Sequence, residues 1–465
     1  MRKILTAFIV LAASGAALNA QTLRLQTTLG GIDIVLTPTT TPVTVANFMT
    51  YVNGGGYNNT IIHRSLTVAA AVPPYIIQGG GYVLGAGNLP VLTTQNAPIT
   101  NEFNTANCPG GTCNVAGTIA MAQYGGNIDS ATNEWYFNTQ DNSSTLDSQD
   151  FVVFGNVAND AGLAVMNAIN ALNTYSVNFG QDANFSNLPL LNNYSCPNST
   201  CPLIHPDNYV FVTAVTPISP ATSAAGFEDS ATAASISGTG ISPGQIITLY
   251  GTNLGPTQVT TLTLNSTGTV VTSSLETTQV SFNGVPGPMI FTSDGQIAVI
   301  APYEIAGQST VSVVVSYLGF QTSPIQFKVV PVNPGLFTLN DSGKGDAAII
   351  RYSDSSVISA SNPASVGDLL EIYGEGYGVA TSNTSLADGT VVGTVLPIPA
   401  AATTVLIDGK AVNAQNIQYA GGAGGDVNGV LQINLVVPQL APGPHQLQIQ
   451  AGSAVSPTGV NLQTQ

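Results

Sequence analysis

Only 8 of the 465 residues are lysine or arginine, and acidic residues outnumber them threefold, giving a net charge of −16. A chain so poor in cations has no basic stripe to neutralise phosphates, which excludes nucleic acid as a partner. For the same reason it has no Lys/Arg cluster to hold an anionic membrane surface. Charged residues make up 7% in all, against about a quarter in an average soluble domain, so coiled coils and helical arrays are excluded as well. What abounds instead is glycine (49) and proline (28), mixed with Thr, Ser, Asn and Val. That is the composition of short strands joined by tight turns, and the length allows about three domains, each with its own core.

Long apolar runs are also scarce. After the N-terminus no stretch reaches the about 20 residues needed to span a bilayer. The N-terminus itself has a positive pair, Arg2 and Lys3, then an apolar segment from Ile4 to Ala13 and small residues up to Ala20. This pattern reads as a signal peptide cut after Ala20 or Ala17, with an N-terminal anchor as the alternative, so the chain is expected to be exported, periplasmic or extracellular.

Cysteine is limited to four residues in two matching pairs, Cys108 with Cys113 and Cys196 with Cys201, each separated by four turn-forming residues. An even count in an exported chain reads as two local disulfides that staple loops away from any site, with cross-pairing of the loops as the alternative. Zinc would want closer spacing or partnered histidines, and only His205 is near in sequence. The acids Asp129, Glu134, Asp141, Asp147 and Asp150 lack the regular spacing of a calcium loop. No metal or cofactor is expected.

Periodicity supplies the elements. Leu23 and Leu25, then Ile32, Ile34 and Leu36 beyond Gly30-Gly31, alternate as a hairpin with one buried face. Thr41 offers a cap and Pro42 a first helical position, followed by Val45, Met49 and Val52 at helical spacing and a stop at Gly54. A second helix is expected at Ala161 to Leu172, on the stripe Val165, Ile169, Leu172. The rest reads as strands and loops, so the expected fold is mainly β, with a closed barrel capped by two helices. Residues 213–235, rich in Ala, Thr, Ser and Pro, read as a linker. Beyond them the chain repeats itself: residues 244–255 (GQIITLYGTNLG) echo 367–378 (GDLLEIYGEGYG), and 280–284 echo 405–409. Two β-sandwich modules of similar size follow from this. The expected division is a signal peptide at 1–20, a barrel at 21–218, and sandwiches at 219–331 and 332–465.

Five motifs in the first half carry chemistry: Ile62-His63-Arg64; the run from Tyr75 to Gly81; the run from Gly117 to Gln123; the run from Ser130 to Phe137; and Leu146-Asp147 with the stretch from Phe151 to Gly155. Together, and in this order, they resemble the cyclophilin-type peptidyl-prolyl cis-trans isomerases, especially an exported bacterial branch, from about Leu23 to Ile218. Rotating an X-Pro bond breaks amide resonance, a barrier of about 20 kcal/mol, and exposes a lone pair on the prolyl nitrogen, so a fixed cationic donor aimed there would help. Arg64 is one of only six Lys/Arg beyond residue 20. The resemblance implies that Arg64 is the catalytic arginine and that Gln78 orients it and binds the substrate backbone. It further implies a proline pocket of Tyr75, Ile76, Tyr136 and Leu146, a backbone grip on the peptide at Gln123, and pocket-edge positions at His63 and Glu134. Departures from the family pattern are Glu134 for glutamine, Thr145 for a frequent tryptophan, Phe151 for a common histidine, tyrosine for phenylalanine at 75 and 136, and an insertion at residues 65–74.

The distal half resembles immunoglobulin-like repeats of unknown function in exported proteins of soil bacteria such as acidobacteria. The likeness lies in residues 296–307 (QIAVIAPYEIAG), 334–337 (PGLF), 362–364 (NPA) and 432–438 (QINLVVP). No nucleophile, base or ligand cluster stands out there. The function implied is isomerisation of X-Pro bonds in exported proteins, assisting their folding, with proline-containing peptides and unfolded exported chains as partners. The sandwiches offer a surface for a cell-surface or matrix partner. The competing reading is a binding or adhesion protein that holds proline-containing peptide without turnover; whether Glu134 neutralises Arg64 separates the two.

Overall fold

The computed structural model describes residues 21–67, 73–179, 184–192, 194 and 204–465. The expected signal peptide and the pair Cys196 and Cys201 lie outside these residues. The described chain forms two compact units, one of residues up to 217 and one of residues 218–465 that also takes in 159–161. Among the described residues no helix is long and apolar enough to cross a membrane.

The first unit is built on β1 (Thr22–Thr27), β2 (Gly30–Leu36), β3 (Thr60–Ile61), β4 (Arg64–Leu66), β5 (Ile76–Gly79), β6 (Tyr82–Leu84), β7 (Pro90–Leu92), β8 (Thr118–Met121), β9 (Trp135–Asn138) and β10 (Val153–Val157). A separate hairpin of β11 (Thr174–Asn178) and β12 (Asn184–Pro189) follows, then β13 (Phe211–Pro217). Apart from that hairpin the strands make one antiparallel sheet in the order β4-β5-β9-β8-β10-β2-β1-β13-β3-β6-β7. Ile62 and His63 carry the chain from β3, near one end of this order, to β4 at the other. Their amides bond to Val210 O at 2.8 Å and Gln78 O at 3.0 Å, so the sheet closes on itself.

Alternation fills the barrel as the apolar period requires. Leu23, Leu25, Ile32, Ile34 and Leu36 all point into one core with Trp135, Phe137 and Phe154. On the opposite face of the same hairpin, Arg24 and Asp33 are cross-strand partners in a buried two-point pair, with Nε to Oδ1 at 2.7 Å and Nη2 to Oδ2 at 2.9 Å. Helix α1 (Pro42–Asn53) covers one side of the core with Val45, Phe48 and Val52, and ends on Gly54. A one-turn α2 (Ser143–Leu146) precedes β10, and α3 (Asp160–Asn170) buries Val165, Met166 and Ile169.

The stretch expected to be a linker is largely ordered as strand. Residues up to Pro217 belong to β13, paired with β1, and Ala221–Asp229 pairs with Ile246–Thr252 in the second unit. Only residues 218–220 lie between. Burial alternates along Ala221–Asp229, as it does in a strand with one face covered.

The second unit holds two sandwiches, each with its own core. One is centred on Ile247, Leu249, Val280, Phe282 and Val313, the other on Leu370, Ile372, Ile433, Leu447 and Ile449. The two halves of the sequence echo occupy equivalent places: Ile246–Thr252 pairs with Gln296–Ile300, and Leu369–Glu375 pairs with Leu431–Val436.

Candidate active site

Four adjacent strands set the predicted residues in one row. Arg64 on β4 faces Gln78 on β5, Gln78 faces Tyr136 on β9, and Tyr136 faces Ala120 on β8. Directly paired residues share a face of the sheet. The intervening residues Ile77, Ile119, Trp135 and Phe137 enter the core, while Ile76, Ala120, Tyr136 and Leu146 form a second apolar cluster on the outer face. Leu66, Ala122, Phe151 and Val153 pack against it, with the Phe151 ring edge-on to Tyr136 at 5.9 Å.

At one end of the row stands an exposed guanidinium. Arg64 Nη1 donates to Gln78 Oε1 at 3.3 Å, Gln78 Nε2 donates to Glu134 Oε2 at 2.6 Å, and that same oxygen lies 3.5 Å from His63 Nε2. The other two arginines of the described chain are ion-paired: Arg24 with Asp33, and Arg351 with Asp368 at 3.0 Å and Asp354 at 3.4 Å. Among the described residues no carboxylate comes within ion-pair distance of Arg64. Glu134 therefore neither pairs directly with the cation nor turns to solvent; it grips the glutamine between them.

Electrostatics follow this geometry. Partial burial lowers the Arg64 pKa and the Glu134 charge opposes that shift, so the guanidinium keeps its proton. Burial would raise the Glu134 carboxyl, but bonding and charge from His63, the Gln78 bond and the Arg64 charge together hold it below its ordinary value. Burial, with the Asp147 charge, pushes the Tyr136 phenol well up. Its hydroxyl thus stays a donor and meets Asn114 Oδ1 at 2.8 Å.

The remaining predicted residues are placed unevenly. Tyr75 is half-buried at the edge of β5, its backbone held on both sides by Asn142: N–H to Oδ1 at 2.7 Å, and Nδ2 to its carbonyl at 2.8 Å. Gln123 ties loops together, donating to Gln149 O at 2.7 Å and accepting from Asn101 Nδ2 at 3.3 Å. With Gln78, Tyr124, Thr132 and Glu134 it lines a hollow of about 170 Å³ beside the row. His63 is buried against the rings of Tyr82 and Phe185, at 4.9 and 5.9 Å, and is not among the residues of the outer apolar cluster. Cys108 and Cys113 are bonded to each other. A roomier cavity of about 480 Å³ lies beneath their loop and takes in none of Arg64, Gln78 and Tyr136.

Sequence reasoning missed Asn114, Asn138 and Asn142, all fully buried under the apolar cluster and bonded to one another. Asparagine is common throughout the loops of this chain, so spacing did not mark them. The one available signal was Asn138 closing an otherwise apolar strand, where asparagine is depleted. No group of three or more His, Cys, Asp or Glu among the described residues is arranged to hold a metal.

Residues 22–188 match the family described as cyclophilin type peptidyl-prolyl cis-trans isomerase/CLD, and residues 232–329 match the IPT/TIG domain. The chain is 34% identical over 165 residues to peptidyl-prolyl cis-trans isomerase A of Dickeya dadantii, covering 35% of this chain and 77% of that protein. It is 35% identical over 147 residues to a peptidyl-prolyl cis-trans isomerase of Acinetobacter baylyi, covering 31% and 70%. It is 33% identical over 147 residues to peptidyl-prolyl cis-trans isomerase B of Escherichia coli, covering 30% and 79%. The chain belongs to the cyclophilin-type peptidyl-prolyl cis-trans isomerase family, with an IPT/TIG domain following the isomerase domain.

Proposed function

We propose that the barrel, residues 21–218, catalyses cis/trans rotation about X-Pro peptide bonds of exported proteins and so assists their folding outside the cytoplasm. The observation that carries this reading is Arg64: an exposed guanidinium with no carboxylate among the described residues in ion-pair reach, steadied by Gln78 at 3.3 Å, in line with an apolar cluster on the same face. A proline ring seated on Ile76, Tyr136 and Leu146 would bring its nitrogen within reach of that row. As the nitrogen turns pyramidal its lone pair becomes an acceptor, and an Arg64 N–H directed at it stabilises the twisted state more than the planar ground state. Gln78, with one amide end on Glu134 and the other on Arg64, keeps the donor aimed and leaves no covalent step to perform. Two features support export: the Arg2-Lys3 and apolar pattern of the N-terminus, and the Cys108–Cys113 bond, a feature of oxidising compartments. The two sandwiches, as separate modules at 219–331 and 332–465, would display the isomerase or engage a cell-surface or matrix partner, an inference from their fold alone.

A protease-coupled isomerisation assay on an X-Pro tetrapeptide tests the reading. Arg64→Ala is expected to lower kcat/KM by about 100- to 1,000-fold, the usual loss for one transition-state donor, with the barrel still folded by circular dichroism. A folded Arg64→Ala protein with undiminished activity would overturn it.

A further inference from the structure

Asn114 sits at the centre of the polar layer beneath the apolar cluster, and its side chain uses its full bonding capacity. Its Oδ1 accepts from Tyr136 Oη at 2.8 Å and from Asn138 Nδ2 at 3.1 Å. Its Nδ2 donates to Asp147 Oδ1 at 2.8 Å and to Phe151 O at 3.0 Å. One asparagine thus joins the ring of Tyr136, the backbone of Phe151 that packs on that ring, and the residue after Leu146. Its own backbone is fixed as well. The amides of Cys113 and Asn114 both donate to Asp147, at 2.9 and 3.0 Å, and Cys113 is tied to Cys108 one residue before the asparagine. The disulfide loop and the apolar cluster are therefore linked through one residue, Asn114, and one hydrogen bond, that from Tyr136.

We propose that Asn114 is a positioning residue for the proline pocket, anchored by the Cys108–Cys113 bond, so that substrate affinity depends on that disulfide through the Tyr136 hydroxyl. This rests on the isomerase reading given above. It also replaces the expectation that the disulfide only staples a loop away from the site. The physical basis is directional: a buried hydroxyl whose acceptor moves must either follow it or lose its bond at a cost of about 1–3 kcal/mol. Tyr136 therefore follows Asn114, and the wall of the pocket with it. Arg64 lies at the other end of the row and is held by Gln78, so the chemical step is insulated from the loop.

The test is a cycle in the full-length protein. Cys108→Ser/Cys113→Ser removes this one disulfide, and Tyr136→Phe removes only the hydroxyl link; each is made alone and both are combined. KM and kcat for an X-Pro peptide are measured with thermal midpoints, and the Kd of the same peptide is measured by calorimetry. Without the disulfide, KM and Kd are expected to rise about fivefold with kcat changed by less than about twofold. In the Tyr136→Phe background the same removal is expected to change Kd by less than about 1.5-fold, because the link is already cut. Unchanged Kd in a folded disulfide-free variant overturns the proposal. So does an equal rise with and without the hydroxyl, which would mean general loosening of the barrel. If the wild type and Arg64→Ala turn over peptide equally, the isomerase reading fails on its own, while the Kd cycle still decides the role of Asn114.

Discussion

Replacing Glu134 by glutamine exchanges a charged acceptor for a neutral one where Gln78 is held. Because the carboxylate meets Gln78 and His63 and not Arg64, the substitution does not release a trapped cation. It weakens the hold on Gln78 by about 1 kcal/mol, the difference between a charge-assisted and a neutral bond, and lowers the thermal midpoint of the barrel by about 2–4 °C. The pH dependence follows from the depressed carboxyl. A group whose folded pKa lies below its unfolded value of about 4.3 contributes stability above that value and loses it as pH falls through the folded pKa. Wild-type midpoints are therefore expected to drop more steeply than those of Glu134→Gln below about pH 4.3, in thermal melts taken between about pH 6 and 3. Parallel curves would show that Glu134 is not the group responsible.

Helix α1 shows how a local signal can find an element and still miss what holds it. Pro42 at the first position and Gly54 at the end are where their backbone preferences put them. Thr41, however, makes no cap: its hydroxyl turns back to Thr37 O at 3.1 Å. The exposed helix amides are taken by Glu102, whose carboxylate accepts from Val43 N at 2.9 Å and from Thr44 N and Oγ1 at 2.8 Å each. An acid at a helix N-terminus adds favourable charge to the cap, and one 58 residues away in sequence from Thr44 is invisible to any local pattern. Glu102→Ala is expected to cost about 1–2 kcal/mol in chemical denaturation, and Thr41→Ala less than about 0.5. The reverse order would return the cap to Thr41.

At the scale of the whole chain, the second unit contains acids that sequence read only as part of a net negative charge. Glu375, in one sandwich, is fully buried and accepts from Ala231 N at 2.9 Å and Ile246 N at 2.5 Å of the other. Burial and the neighbouring Asp229 push its carboxyl well up, and Asp229 is itself raised by burial despite donors from Thr232, Gln245 and Ala231. A second pair joins the same two sandwiches: Asp388, half-buried beside Glu304, is pushed up to about 7 by that burial and by Glu304. These carboxyls hold protons in the native state at pH values where the unfolded chain has lost them, so their contribution is present at low pH and lost as pH rises through the folded values. In calorimetry of the full chain, the transition of residues 218–465 is expected to fall by a few °C between about pH 5 and 8. Asp388→Asn and Glu375→Gln, which carry the protonated form's neutrality permanently, are expected to flatten that fall; an unchanged slope in both would refute the assignment.

The mainly β class, the first hairpin and both longer helices were legible because each depends on a period or a turn residue within about a dozen positions, and the sandwiches because residues 244–255 recur as 367–378. The motifs around Arg64, Gln78 and Tyr136 were legible through their resemblance, in order, to those of the cyclophilin-type isomerases, and the strand order sets the three residues in one row. Three things were decided only by the folded structure: that Glu134 grips Gln78 and not Arg64, that Glu102 caps a distant helix, and that Asn114 holds Tyr136. A hydrogen bond is set by distance and direction between atoms, and in each of these cases the partners lie between 22 and 58 residues apart in the chain. Composition carries no record of such pairs, and the closed sheet is what makes them neighbours.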